Sequence, residues 1–263
     1  MSTMGRIKKL TKNSLMHKLD ELHYYECKAK ILEKTSRGID VGWMLIEGLI
    51  IFRFMRRMFD YKSLVLEIGV GSQPRSKVGL CLDDDSFVGC DISISHLKYS
   101  KRHYEGNYVA CDAENLPFRN ASFSAVLSLG VLHHLPSWER GLIELVRVLK
   151  NDGLIGLRAP IYSRNLGLLR KFSKQESPHE KPIKENLLMR QIALLGLEVI
   201  RSCRVFPRIR MPATQVIFRL LPSLRFSKPF WSVLWTFDRI CDDLLGCFYI
   251  CRGSDFLILG KKV

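Results

Sequence analysis

The chain has 263 residues, 47% of them hydrophobic, with 41 Lys+Arg against 26 Asp+Glu for a formal charge of +15. That is one large domain or two small ones with enough apolar material for a core, and the charges are interspersed with Leu, Ile, Val and Phe, which excludes wholesale disorder. The excess of cations sits at the two ends, +6 over residues 1–62 and +10 over 161–263, while 63–160 carries −1. A basic flank suits nucleic acid, an anionic lipid surface or an acidic substrate alike.

From the start of the chain, residues 14–36 place Leu15, Leu19, Leu22, Ile31 and Leu32 among Lys and Glu. This spacing predicts an amphipathic helix, with Gly38 as its stop. A second helix is expected over about 41–59. The apolar stretches Val41–Phe52 and Pro229–Cys251 are interrupted or closely flanked by charges, so neither reads as a membrane span. Both suit helices that pack on the protein or lie on a membrane surface. The opening residues lack the apolar core of a secretory signal, and the eight scattered cysteines include no complete zinc pattern, so reduced thiols in a cytoplasmic setting and no metal are expected.

From residue 63 short apolar runs recur at Ser63–Ile68, Phe87–Cys90, Tyr108–Cys111, Ala125–Leu129 and Leu154–Leu157, each followed by Gly, Asp or Ser and a helix-like segment. The alternation implies right-handed βαβ units and a parallel sheet, whose ligands bind at the carboxyl ends of the strands. Trp138–Lys150 reads as a helix, Asn151-Asp152-Gly153 as a turn, 184–195 as a late helix, and Leu197–Cys203 and Asp255–Gly260 as the last strands. Between those two strands lie residues rich in Arg, Pro, Phe and Trp that a minimal sheet does not require.

Three consecutive strand ends carry suggestive chemistry. The first reads Glu67-Ile68-Gly69-Val70-Gly71-Ser72-Gln73-Pro74, whose glycines let the backbone turn sharply and expose amides to a ligand. A tight structural turn explains the same residues. The second ends in Asp91, placed to accept hydrogen bonds from a ribose diol or, alternatively, to cap a helix beginning near Ser95. The third delivers Asp112-Ala113-Glu114, where a carboxylate can face an exocyclic amine or steady its own loop.

Taken as ordered motifs, LEIGVG, VGCDIS, CDAENLPF, FSAVLSLGVLHHL and ELVRVLKNDGLIGLRAP resemble the class I S-adenosylmethionine-dependent methyltransferases, especially those acting on small molecules, quinones and lipid- or sugar-linked intermediates. The likeness runs from about Leu64 to Pro160. It implies an α/β, Rossmann-like fold: a seven-stranded, mostly parallel sheet with an antiparallel last strand, flanked by helices, here with N-terminal helices and a helical insert before the last strand. The expected organisation is an N-terminal helical extension (1–62), a cofactor-binding core (63–204), a basic and apolar insert (205–253) and the last core strand (254–263).

The resemblance implies S-adenosylmethionine as cofactor. Glu67, Gly69 and Gly71 would form the loop under its methionine moiety, Asp91 with Ile92 would bind the ribose, Asp112 with Ala113 the adenine, and Leu129 with Gly130 would line the methyl-donor site. Two positions depart from the family pattern: Gln73 replaces the usual third glycine, and Ser124 the acid that commonly follows Phe. Methyl transfer from a sulfonium needs alignment above all, and a base only where the acceptor carries a proton. His133 and His134, just past the fourth strand, are the nearest bases, and because adjacent helical residues diverge by about 100° one of them, His134, is favoured. His179 is a further candidate should its polar loop fold over the pocket; a solvated loop pair with Glu180 is the plainer expectation.

The fourth strand end reads SLGVLHHL, without the Asn/Asp-Pro-Pro-Tyr tetrad or the Pro-Cys pair of nucleic-acid base methylation. The expected partner is therefore a small, fairly apolar or lipid-linked acceptor methylated on oxygen or carbon. Nucleic acid is disfavoured. The insert, with its Arg and Lys beside Phe and Trp, suits a lid, simple packing, or peripheral association with an anionic membrane. A scaffold that binds the cofactor without turnover is the alternative from another class.

Overall fold

The computed structural model describes residues 3–35, 52, 55, 58, 63–161, 179, 181–205 and 255–263. The expected second helix, apart from three single positions, most of the polar loop after 161 and the insert lie outside the described residues.

The described elements run, in chain order, α1 (Thr3–Thr35), β1 (Val65–Ile68), α2 (Arg75–Leu80), β2 (Phe87–Asp91), α3 (Ile94–His103), β3 (Asn107–Ala110), β4 (Phe123–Leu129), α4 (Trp138–Val148), β5 (Leu149–Pro160), α5 (Glu185–Leu194), β6 (Leu197–Val205) and β7 (Asp255–Lys262). The seven strands form one sheet in the order β3-β2-β1-β4-β5-β7-β6. Pairing is parallel from β3 through β5, and β7 runs antiparallel to both β5 and β6. The strand order reverses beside β1, so β1 and β4 flank the switch point where open parallel sheets bind ligands.

Period-two alternation sorts the strand residues onto two cores. Leu66, Ile68, Val126, Ile155 and Leu157 pack with Leu142 and Leu145 of α4 and Leu188 and Ile192 of α5. Val65, Ala125, Leu127 and Leu129 face the other way, against Leu80 of α2, Leu97 of α3, and Phe52 and Met55. Both faces are covered, and all four residues of β1 are buried. Gly79 of α2 is required by this packing, since a Cβ there would stand 2.2 Å from Phe52 Cδ2.

Two local expectations change. The predicted turn at Asn151-Asp152-Gly153 lies inside β5: Phe123 pairs with Leu149 and Ala125 with Leu154, so the extra residues bulge outward, and Asp152 takes φ +60. The predicted apolar face of the first helix is also reversed. Leu15 and Leu19 are exposed, at 59% and 48%, whereas His17, Glu21 and Ala29 are buried. The cause is what α1 packs against, which is the polar rim at the carboxyl ends of the strands rather than an apolar core.

Candidate functional site

The turn after β1 is built from two left-handed glycines, Gly69 (φ +68) and Gly71 (φ +57). A Cβ on Gly69 would collide with Val131 Cγ2 at 2.1 Å, while around Gly71 no described atom lies within 4 Å of that position. The amides expected to face a ligand are instead used within the protein. Gly69 N and Val70 N donate to the Cys90 carbonyl at 2.7 and 3.0 Å, and Gly71 N donates to Asp91 Oδ2 at 2.8 Å. Ser100 Oγ of α3 donates to the Gly71 carbonyl at 2.9 Å. What the turn offers outward is therefore the bare Cα of Gly71. Gln73 is no obstacle to this geometry, because its φ is not positive: its amide closes the turn onto the Val70 carbonyl at 3.2 Å and its side chain bonds Tyr104.

Glu67 is fully buried beneath the turn. Its Oε1 accepts from Arg75 N at 3.2 Å, and its Oε2 from Ser76 N at 2.8 Å and Ser76 Oγ at 2.5 Å. One carboxylate thus satisfies amides that the first turn of α2 would otherwise leave orphaned. Burial pushes its carboxyl above the usual range against the opposing pull of Arg75 and these hydrogen bonds. Glu67 shapes the loop from below.

Asp91 is buried too, which removes the surface-cap reading; α3 is capped by Ser93, whose Oγ accepts from His96 N. Asp91 Oδ1 accepts from Ser93 N at 2.9 Å. Ile92 N also bonds this carboxylate, and a carboxylate's two oxygens offer about four lone-pair sites, so acceptor capacity remains beyond these amides. Burial raises the carboxyl, opposed by these backbone amides and by His96. Ile92 follows at the start of the loop, half-buried.

At the end of β3, Asp112 Oδ1 accepts from Glu114 N at 3.0 Å, and Lys18 of α1 reaches Asp112 Oδ2 at 2.5 Å and also pairs with Glu114. Burial lowers the Lys18 ammonium, but these carboxylates outweigh it and hold the group above its usual range. Ala113 is buried in the core. Beyond β4, the Leu129 side chain is likewise in the core, and Gly130 (φ +89) donates to the Arg158 carbonyl at 3.0 Å.

His133 and His134 follow in a 3-10 turn, Leu132–His134. The divergence expected of neighbouring helical positions does not separate their rings, whose centroids are 3.9 Å apart. His133 is buried, with Cε1 3.9 Å from the place a Gly130 Cβ would occupy. His134 turns to α1: Tyr25 Oη lies 3.3 Å from Nε2, Glu21 Oε2 lies 3.6 Å from Nδ1, and the His134 carbonyl accepts from His17 Nε2 at 2.8 Å. His179 also meets α1. Its ring stacks on His17 at 4.0 Å and bonds Asp20 Oδ2 at 3.0 Å, and its amide donates to Glu21 Oε1 at 3.1 Å. His179, expected to be solvated in its loop, is therefore folded onto the helix; Glu180 lies outside the described residues.

Sequence reasoning missed the α1 residues altogether. His17, Lys18, Glu21, Tyr25 and Glu26 fall at i, i+1, i+4, i+8 and i+9, a helical face of hydrogen-bonding groups. Glu26 holds α3, accepting from Ser93 Oγ at 2.7 Å, Ser95 N at 3.1 Å and the Ser95 hydroxyl. Along one helix, the ends of β2, β3 and β4 are all engaged.

Comparison with known proteins agrees with this architecture. Residues 66–157 match the family model described as "Methyltransferase domain". The phthiotriol/phenolphthiotriol dimycocerosates methyltransferase 1 of Mycobacterium ulcerans is 35% identical over 95 residues, covering 35% of each chain. The corresponding enzyme of Mycobacterium leprae is 33% identical over 93 residues, 34% of each chain. The match thus spans about a third of the length of these relatives. Among solved structures, magnesium protoporphyrin IX methyltransferase of Synechocystis, with SAH bound, superposes with a TM-score of 0.59 at 13% identity, covering 92% of this chain and 98% of that one. The [4+2]-cyclase SpnF superposes with a TM-score of 0.55 at 17% identity, covering 81% and 80%.

Proposed function

The chain carries a class I S-adenosylmethionine-dependent methyltransferase domain, and from that premise we propose that it transfers the cofactor's methyl group to an oxygen or carbon of a small, fairly apolar or lipid-linked acceptor. The observation that carries this reading is the joint between β1 and β2, where Gly71 opens a bare Cα beside the buried carboxylate of Asp91. When bound, S-adenosylmethionine supplies an electrophilic methyl on a sulfonium sulfur.

The chain's own residues then divide the work. Asp91, with Ile92 beside it, accepts the ribose hydroxyls on its remaining lone pairs, and Asp112 with Ala113 faces the adenine edge. Gly69 and Gly71 let the methionine end approach the backbone, with Glu67 supporting the loop from beneath. Leu129 and Gly130 border the reacting methyl. His134, or His133 beside it, takes the proton of a hydroxyl acceptor, and His179 closes the outer edge of the same cluster. The acceptor class draws support from relatives named for dimycocerosate acceptors and from the absence of base-gripping motifs after β4. No helix among the described residues is long and apolar enough to cross a membrane; a peripheral contact with anionic lipid through the basic insert is part of the proposal for a lipid-linked acceptor.

Calorimetry of the purified protein with S-adenosylmethionine and its demethylated product tests the cofactor site, followed by transfer of labelled methyl groups into a cell extract. Label in the organic phase is the expected result. Nuclease-sensitive label would move the acceptor to RNA, and binding without labelled product would leave a scaffold.

A further inference from the structure

Of the groups around the site, α1 brings two whose placement the cofactor does not explain: Glu21, whose side chain is 6% exposed, and Tyr25. They meet opposite ring nitrogens of His134, Glu21 at Nδ1 and Tyr25 at Nε2. A carboxylate beside Nδ1 favours the tautomer that carries its proton there, which leaves the Nε2 lone pair to accept from the Tyr25 hydroxyl. Tyr25 stands in turn edge-on to the His134 ring, with centroids 5.9 Å apart, and at the same distance from the buried His96. The backbone of His134 is fixed independently by His17, while Glu21 Oε2, 3.6 Å from Nδ1, acts on the ring by charge across a distance longer than a hydrogen bond.

We propose that Tyr25, His134 and Glu21 form a proton relay for a hydroxyl acceptor, with Tyr25 as the group that meets the acceptor and Glu21 as the positioning residue. This rests on the methyltransferase reading above and deepens it by naming the acceptor atom as a protonated oxygen. As the new O–C bond forms, the electron pair of the broken S–C bond stays on sulfur. The acceptor's proton passes to the Tyr25 oxygen and the Tyr25 proton to His134 Nε2. An imidazolium is left beside the Glu21 carboxylate and later returns its proton to water.

Other charged and titratable groups face this cluster. His133 lies beside the ring, His17 and Asp20 are on α1, and His179 and Lys181 come from the loop before α5. Burial and the charges of His179 and Lys181 lower His17 despite its bond to the His134 carbonyl, so His17 is no competing cation near neutral pH. Glu21 is the acidic group that reaches Nδ1 of His134.

The test compares the full chain with Glu21→Gln, Tyr25→Phe and His134→Gln. Imidazole nitrogen NMR, with His134 assigned from the signal lost in His134→Gln, reads the tautomer without any acceptor. The relay requires the Nδ1–H form in the native protein and a shift toward Nε2–H in Glu21→Gln; an unchanged tautomer overturns it. Transfer of labelled methyl groups to extract then reads rate. Tyr25→Phe and Glu21→Gln should lower kcat roughly 10²-fold and 10-fold or more with KM for S-adenosylmethionine within about twofold, and Glu21→Gln should move the acid limb of the pH profile to lower pH. Native rates and limbs in both variants sink the relay while leaving the methyltransferase reading intact. A native protein that binds the cofactor but labels nothing overturns both.

Discussion

The amide of Gly71 donates to Asp91 Oδ2 at 2.8 Å, which ties the turn after β1 to the end of β2 through a single buried carboxylate. Asp91→Asn leaves one acceptor oxygen where two backbone amides, those of Gly71 and Ser93, both need one. Calorimetry should show the affinity for S-adenosylmethionine falling roughly 10- to 100-fold, in line with about 1.5–3 kcal/mol for a hydrogen bond to a charged group. Because burial raises the Asp91 carboxyl, native affinity should begin to weaken on acidification above the ordinary aspartate range, as pH falls through that raised value.

The two glycines of the turn separate folding from binding. Gly69→Ala combines a left-handed φ with a 2.1 Å collision against Val131, and should lose about 2 kcal/mol or more of stability. Gly71→Ala has the strain without a collision in the described residues, about 1–2 kcal/mol, but its methyl points where the cofactor is proposed to lie. Thermal melts should rank Gly69→Ala as the less stable variant. Cofactor titration should rank Gly71→Ala as the weaker binder, by about tenfold or more.

Glu67→Ala would orphan the amides of Arg75 and Ser76 in a fully buried place. Each such group costs about 1–3 kcal/mol, so urea unfolding should show about 2–4 kcal/mol lost. Glu67→Gln keeps one acceptor and should lose less than half as much. A cofactor contact without a structural role would give the opposite pattern, lost affinity with native stability.

Acid should release α1. Burial raises the Glu26 carboxyl, but the hydrogen bonds from Ser95 and Ser93 and the charge of His96 outweigh it and hold it below the usual glutamate range. A depressed carboxyl stabilises the docked helix above its unfolded value and loses that contribution as pH falls through the folded one. Hydrogen exchange in α1 should therefore accelerate below about pH 4.5, the ordinary glutamate range. Glu26→Gln should exchange fast already at neutral pH and lose this acid dependence.

The sheet was legible because strand runs such as Val65–Ile68 and Phe123–Leu129 are short, apolar and followed by glycine or acid, signals that tertiary context seldom reverses. The antiparallel β7 came from family resemblance rather than from its residues. At the site, Glu67 and Asp91 were found by position, yet their bonding was not foreseeable: a sequence shows that a carboxylate follows a strand, not that the loop's own amides will be turned toward it. The α1 residues escaped because the search for amphipathic faces weighs leucines. On α1 the leucines at 15 and 19 are outside, and the face that docks is written in His, Lys, Glu and Tyr.

The partners of α1 lie far along the chain: 67 and 69 residues away at Ser93 and Ser95, 94 at Asp112, 117 at His134 and up to 159 at His179. Contacts of such separation must overcome the entropy of closing long loops before they are rewarded. Helix α1 is thus seated last, after the sheet has supplied its three anchoring points. Folding kinetics should show a late phase, reported by Tyr25, that follows acquisition of β structure.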